Sequence, residues 1–347
     1  MMKKILVTGG CGYIGAHTII DLIENGFEVI SVDDLSRGSL RMIEGVEKIT
    51  GRSIKNYRVN LCDIEDTEAL FIENPGITGI IHFAAFKSVP ESVAEPLKYF
   101  RNNINSLVNV LQCAQEYHVN QFVFSSSCSV YGNPKELPVV EESPLTEPES
   151  PYARTKQMGE AICRDFARQN RKFNATLLRY FNPVGAHPSA LIGELQEKPE
   201  NLVPMITQTA IGKRREMQVF GNDYETRDGS CVRDYVHVMD IANAHTKALQ
   251  YTLEGRNTNK CEIFNLGTGN GVTVLELIDA FEKASGEKLN YKIGPRRPGD
   301  VVAVYANNNK AQEQLGWSPK YDLNQMMDTA WRWELTMKKE AEKIQLN

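Results

Sequence analysis

No stretch of the 347-residue chain approaches the ~18 consecutive apolar residues that a membrane-spanning helix needs. The run Ile5-Leu6-Val7 is too short for the apolar region of a signal peptide, and no small-residue cleavage site follows it. The seven cysteines (Cys11, Cys62, Cys113, Cys128, Cys163, Cys231 and Cys261) form no C-x-x-C pair. Their odd number and scatter argue against a disulfide framework and against structural zinc. Positive charge is not in excess: the net charge of -5 argues against an electrostatic nucleic-acid binder and leaves room for a local basic pocket for phosphates. Repeats and low-complexity tracts are absent. These absences point to a globular protein of the reducing cytoplasm that binds neither membrane, nucleic acid nor metal. Its length allows a full core and two lobes.

What is present is an alternation of short β-rich runs with amphipathic helical stretches through the first ~180 residues. Strands are expected at Lys4–Thr8, Glu28–Val32, Tyr57–Asn60, Gly79–Phe83, Gln121–Ser125 and Ala175–Tyr180, and helices at Ile14–Asn25, Asn103–Glu116 and Tyr152–Asn170. Such alternation predicts an α/β fold: a Rossmann-type, doubly wound parallel sheet with helices on both faces. From Asn182 the chain is punctuated by Pro and Gly, which suits a smaller mixed α/β lobe. A helix starting near Asp240 and a strand at Cys261–Leu266 read as returning to the first domain. The expected division is residues 1–181, with 236–267 returning, for the cofactor domain, and 182–235 with 268–347 for the substrate lobe.

Between the first strand and its helix lie Gly9, Gly12 and Gly15, spaced G-x-x-G-x-x-G. Glycine permits a tight turn and lets backbone amides approach a pyrophosphate, while the helix N-terminus offers N–H donors. The second strand ends in Asp33, 18 residues beyond Gly15. A carboxylate there accepts both ribose hydroxyls and repels a 2′-phosphate, and Asp34 adds to the repulsion, so NAD is favoured over NADP. Arg37 is the one nearby cation that would suit a 2′-phosphate. Asp63 reads equally as a helix N-cap or an adenine contact.

The fifth strand ends in Ser125-Ser126-Ser127-Cys128-Ser129-Val130-Tyr131-Gly132, and Ser150-Pro151-Tyr152-Ala153-Arg154-Thr155-Lys156 opens a later helix. Tyr152 and Lys156, four apart, share a helix face. A phenol with a pKa near ~10 is a poor base at neutral pH. The Lys156 ammonium and a cationic nicotinamide both favour the phenolate, and a strand-end serine can align it with a carbinol. The trio is suited to removing a carbinol proton as hydride leaves the same carbon for NAD.

These motifs, in this order, resemble the extended short-chain dehydrogenase/reductase superfamily. Further strings narrow the resemblance to the UDP-glucose 4-epimerase family (also called UDP-galactose 4-epimerases). They are His82-Phe83-Ala84-Ala85-Phe86-Lys87, Leu178 through Pro188, Val232 through Asp240, and Arg296-Arg297-Pro298-Gly299-Asp300, and the match runs to roughly residue 335. The resemblance implies an isomerase of galactose metabolism, with Ser127 and Tyr152 as the catalytic pair and Lys156 tuning the phenol and holding the nicotinamide ribose. It implies cofactor contacts at Tyr13, Ile14, Asp33, Asp63, Phe83, Lys87, Asn102 and Phe181. Contacts to a UDP-sugar fall on Asn182, Asn201, Phe220, Arg233, Arg297 and Asp300, and a homodimer is implied as well. Without the resemblance, the arginines would read as a solvated ion-pair face. His237, Asp240 and His245 suggest a metal less than a capped helix start.

Under this reading a permanently bound NAD takes hydride from C4′ of a UDP-hexose, the 4-keto sugar turns, and the hydride returns to its other face. Related dehydratases carry an Asp-Glu pair after the strand-end hydroxyl residue, where this chain has Cys128 and Ser129. The close strings disfavour a decarboxylase, and an intact trio disfavours a non-catalytic NAD sensor. Family members restricted to plain hexoses tend to carry tyrosine at the position aligned with Val304. Valine there leaves room for a 2-acetamido group, so UDP-GlcNAc and UDP-GalNAc are expected substrates as well.

Overall fold

Alternation along β1 (Lys4–Thr8) sends Ile5 and Val7 into one apolar cluster and Leu6 into another, and all three are fully buried. A strand that is apolar on both faces belongs inside a sheet covered by helices on each side. A computed structural model, describing residues 2–195, 199–297 and 301–345, has that arrangement. After β1 come α1 (Tyr13–Glu24), β2 (Glu28–Val32), α2 (Leu40–Thr50), β3 (Asn56–Tyr57), α3 (Ile64–Glu73), β4 (Ile77–His82) and α4 (Val89–Ala94). Then follow α5 (Pro96–Glu116), β5 (Gln121–Ser125), α6 (Pro151–Gln169), β6 (Asn174–Tyr180), β7 (Asn182–Val184), α7 (Leu202–Ala210), β8 (Met217–Phe220) and β9 (Val232–Arg233). The chain ends with β10 (Tyr235–His237), α8 (Val238–Leu253), β11 (Cys261–Leu266), β12 (Val272–Thr273), α9 (Val274–Ser285), β13 (Tyr291–Gly294), β14 (Ala303–Val304) and α10 (Leu323–Gln345).

Seven strands form one parallel sheet in the order β11-β6-β5-β4-β1-β2-β3. Helices α1, α2 and α8 cover one face, and α3, α5 and α6 the other. This is the doubly wound α/β architecture expected from the sequence. The strand order reverses between β1 and β4, and a ligand crevice opens at the carboxyl ends of the strands at such a point. Three smaller sheets (β10-β7, β12-β9-β14 and β13-β8) lie beyond it. A third apolar cluster joins α7, β8, α9 and α10 through Val203, Ile206, Val219, Phe281, Met327 and Trp331.

Several element ends differ from expectation. α5 starts at Pro96 rather than Asn103, because proline is tolerated at the first helical position and Tyr99 supplies a buried residue in the first turn. α1 and α6 each begin one residue earlier than read, at Tyr13 and Pro151, and end one earlier. β3 spans only Asn56–Tyr57, since the Asn60 carbonyl already accepts from Asp63 in the turn leading to α3. β4 covers Ile77–His82, and β6 starts at Asn174. Helices α2, α3 and α4 were not in the expected set; each has a side-chain N-cap, at Ser39, Asp63 and Ser88.

Candidate active site

β1 delivers the chain into the glycine loop at the reversal point. Gly9 takes φ +69°, and a Cβ there would stand 3.0 Å from the Ala84 amide in the segment after β4. A Cβ on Gly15 would stand 2.2 Å from the Gly9 carbonyl oxygen, so a side chain at either position breaks the loop. α1 begins after Gly12 with no side-chain cap and no acidic residue in its first turn, which leaves its first amides to an anion. Tyr13 fixes the helix start by donating its hydroxyl to the Gly185 carbonyl at 2.5 Å, just past β7. Ile14 follows in the first turn of α1, half-buried against the same core.

Asp33 ends β2 with its carboxylate held by backbone: Oδ2 accepts from the Cys11 amide at 3.1 Å and Oδ1 from the Leu35 amide at 2.9 Å. Burial raises its pKa, and these two bonds oppose the rise. Arg37 turns to Glu91 at 2.5 Å and lies over the Phe86 ring, so the cation suited to a 2′-phosphate already has an anionic partner. Asp63 caps α3, its Oδ1 accepting from the Glu65 and Asp66 amides. Phe83 leaves β4 and sets its ring 4.5 Å from that of His245, while Phe181 is buried at the end of β6. Asn102 donates to Asn103 on α5. The glycine cradle, uncapped helix start and fixed carboxylate together fit a dinucleotide with an unsubstituted ribose.

Three consecutive serines close β5, and each does something different. Ser125 Oγ bonds the Tyr180 hydroxyl at 2.5 Å, and its carbonyl accepts from Lys156 Nζ at 2.6 Å. Ser126 Oγ donates to Glu160 at 2.6 Å. Ser127 caps the 3-10 turn Cys128–Tyr131, its Oγ accepting from the Ser129 amide at 3.2 Å. α6 starts at the Ser150 cap with Pro151 in its first turn, and this places Tyr152 and Lys156 on one face over the β5 end. Ser127, Tyr152 and Lys156 are therefore brought together. Lys156 Nζ lies 5.9 Å from the Tyr152 ring centre and 5.1 Å from that of Phe124.

The electrostatics around the phenol are set first by burial. Burial pushes the Tyr152 phenol above its ordinary pKa, Tyr180 adds to the rise, and a hydrogen bond from Ser127 opposes it. Burial lowers Lys156 itself to about 8, and its ammonium donates to the Ser125 carbonyl. A positive charge on a bound group would favour the phenolate.

Of the residues expected to meet a UDP-sugar, Arg233 donates to the Val232 and Val301 carbonyls at 2.8 and 2.7 Å, and its charge reaches the Cys128 thiol. Asp234 next to it accepts from Thr268, Gly269 and Ala306, fastening β9 to the loop after β11. Val304 pairs in register with Arg233 across β14 and β9 and is 8% exposed. Asn182 donates its amide to the Asp234 carbonyl. Arg297 lies over the Phe220 ring at 5.3 Å, at the end of β8. Asn201 and Lys87 both bond Glu194 Oε1, at 2.9 and 2.8 Å. Asp300 lies outside the described residues. His237 caps α8 through Nδ1, and Asp240 accepts from the Tyr321 amide; no metal cluster exists among the described residues.

Sequence reasoning missed Tyr180, Glu194 and the pair Glu160–Arg179. Tyr180 ends β6 beside the end of β5, and parallel pairing of those two strands was the available signal. Arg179 is the one charge in β6, a strand otherwise uncharged and mostly buried, which signals a buried partner.

The chain matches the family model described as GDP-mannose 4,6 dehydratase over residues 6–330. It is similar to the UDP-glucose 4-epimerase of Bacillus subtilis (strain 168), 45% identical over 331 residues that make up 95% of this chain and 96% of that protein. Among solved structures it resembles the UDP-glucose-4-epimerase from Stenotrophomonas maltophila with bound NAD and formylated UDP-arabinopyranose. That likeness has a TM-score of 0.94 at 42% identity and covers 98% of this chain and 100% of the other. It also resembles the UDP-Glc/GlcNAc 4-epimerase from Campylobacter jejuni, with a TM-score of 0.83 at 38% identity over 96% of this chain and 99% of the other.

Proposed function

Because the chain belongs to the UDP-glucose 4-epimerase family of NAD-dependent enzymes, we propose that it inverts C4′ of UDP-glucose and UDP-galactose. The observation that carries this reading is the meeting of Ser127, Tyr152 and Lys156 at the end of β5, beside the glycine cradle after β1.

Gly9, Gly12, Gly15, Tyr13, Ile14, Asp33, Asp63, Phe83, Lys87, Asn102 and Phe181 would hold NAD. When bound, NAD would supply a reversible hydride acceptor for C4′, and its positive ring would favour the Tyr152 phenolate. Ser127 holds the 4′-hydroxyl in line with Tyr152, which takes its proton and later gives it back. Lys156 holds the nicotinamide ribose and lends positive charge. Arg233 and Arg297 suit the diphosphate, Phe220 suits the uracil, and Asn182, Asn201 and Asp300 complete the nucleotide site. With binding energy placed on the UDP, the keto sugar is free to turn. Valine at 304 is smaller than the tyrosine expected of members restricted to plain hexoses. Turnover of UDP-GlcNAc and UDP-GalNAc rests on that difference in size and on the less similar of the relatives above.

The family model's description names a dehydratase. Cys128 and Ser129 follow Ser127, however, and neither supplies the carboxylic acid that elimination of water needs. The division into a cofactor domain (1–181 with 236–267) and a substrate lobe (182–235 and 268–347) is part of this proposal. So is a homodimer: α5 and α6 pack side by side and leave Leu97, Val108 and Met158 exposed, an apolar face suited to a second copy. All seven cysteines are unpaired, which suits the cytoplasm, and no helix among the described residues is long and apolar enough to cross a membrane.

Incubating the purified protein with UDP-galactose, without added NAD, tests the reading. UDP-glucose with no net NADH is expected. A stable keto product that has lost water, or no product at all, overturns it.

A further inference from the structure

Glu160 and Arg179 are the most deeply buried pair of opposite charges among the described residues, exposed by 1% and 2%. Arg179 meets the carboxylate with both arms of its fork: Nε donates to Oε1 at 2.8 Å and Nη2 to Oε2 at 2.6 Å. Ser126 Oγ donates to the same Oε1 at 2.6 Å. The third arginine nitrogen, Nη1, donates to the Tyr131 hydroxyl and the Glu141 carbonyl, both at 3.0 Å. Tyr131 in turn donates to Asn265 at 2.7 Å. One network thereby joins α6, β6, the end of β5, the 3-10 turn that follows Ser127, and β11. Glu160 sits one helical turn beyond Lys156 and two beyond Tyr152.

A buried ion pair is a poor source of stability, since an apolar pair of similar volume generally serves as well. What two charges supply and two methionines do not is directional registry and a local field. We propose that Glu160 and Arg179 are positioning residues for the proposed reaction, fixing α6 against the Ser125–Ser127 strand end and setting the field around Lys156; the inference rests on the function proposed above.

The groups facing Lys156 make the field assignment specific. On its own helix they are Tyr152, Glu160 and Cys163; from β4 comes His82, and from β5 the Phe124 ring and the Ser125 carbonyl. Burial keeps His82 and Cys163 uncharged, lowering the imidazole to about 3 and raising the thiol. Tyr152 is raised and neutral as well. Glu160 is therefore the anion that Lys156 sees, and Arg179 is that anion's counter-charge. Removing Glu160 makes the ammonium easier to deprotonate. Removing Arg179 leaves the carboxylate unbalanced and does the opposite.

The test is the alkaline limb of the pH–kcat profile for Glu160→Gln and Arg179→Met, read again on the pH at which bound NAD is lost. The limb is expected to move down by about one pH unit in Glu160→Gln and up in Arg179→Met. Limbs that coincide with the parent's, or that move the same way in both variants, overturn the proposal, because a merely structural role has no sign. Should either single variant fail to fold, the double variant Glu160→Met, Arg179→Met takes its place. Its limb moves down, since the nearer charge is the carboxylate's, and an unmoved limb overturns the idea equally. NAD retention requires no turnover, so absence of epimerase activity would count against the proposed function and leave this test readable.

Discussion

Lys156 donates its ammonium to the Ser125 carbonyl at 2.6 Å, and its Nζ stands 5.9 Å from the ring centre of Tyr152. The lysine is thus anchored to the strand rather than to the phenol it is expected to assist. Burial lowers its pKa from 10.5 to about 8, so charging it inside the fold works against stability at neutral pH. For this base the unfolded chain binds the proton more tightly, so the penalty is full below about pH 8 and fades as pH rises to 10.5. Lys156→Met should therefore abolish epimerisation while stabilising the fold by about 1 to 2 kcal/mol at pH 7, after allowance for the stranded Ser125 carbonyl. Calorimetry at pH 7 checks this, and a lower Tm than the parent's would show that the buried charge is compensated elsewhere.

Tyr152→Phe removes the proton acceptor and little volume. A fall in kcat of roughly 10²–10⁴-fold is expected, with bound NAD retained, as judged by release of the dinucleotide on denaturation. Near-normal turnover would remove Tyr152 from the chemistry.

His82 is 2% exposed, and burial holds its pKa at about 3. The unfolded chain takes up this proton from about pH 6.5 downward and the folded one does not, so His82 draws stability away as pH falls through that window. Relative to the parent, His82→Gln should gain about 1.4 kcal/mol for each pH unit between 6 and 4. Urea unfolding at three pH values measures the gap, and a gap independent of pH would refute the assignment.

Val304→Tyr should suppress turnover of UDP-GlcNAc by at least about 10-fold while leaving UDP-glucose within a few-fold. Parallel kinetics on the two sugars settle it. Equal losses on both would mean that the residue shapes the site as a whole.

Leu97 is 72% and Val108 43% exposed on α5. Replacing both by glutamate should convert the proposed dimer to a monomer, with little change in the Tm of the separated chains. Light scattering after size exclusion reads the mass directly, and a parent that is itself monomeric would end the dimer proposal.

The sheet and the neighbourhood of the candidate site at its strand ends were legible in the sequence for a physical reason. Strand–loop–helix units are local, so Gly9 through Gly15, Asp33 and the Tyr152–Lys156 face each declare themselves within a few residues. What was illegible depends on pairing across distance or on neutral-looking residues. Glu160 and Arg179 meet only because α6 packs on β6, and Glu194 gathers Lys87 and Asn201 from separate segments. The start of α5 was missed because Pro96 reads as a break, although at the first helical position it lacks only a donor that would go unused. The burial that raises the Tyr152 phenol was illegible too, because helix-face spacing places Lys156 near the ring without saying how deeply either group is covered.

The serines at the end of β5 also divide what can vary from what cannot. Ser125 and Ser126 are committed to Tyr180 and Glu160, and Ser127 holds the turn through the Ser129 amide, a backbone group that any residue would offer. The Ser129 hydroxyl itself is buried and has no partner among the described residues. Cys128 packs against the core beside it. A carboxylate at 129, such as elimination calls for, would be buried where the hydroxyl already lacks a partner, so turning inversion into elimination takes a partner for the new charge as well as the new side chain.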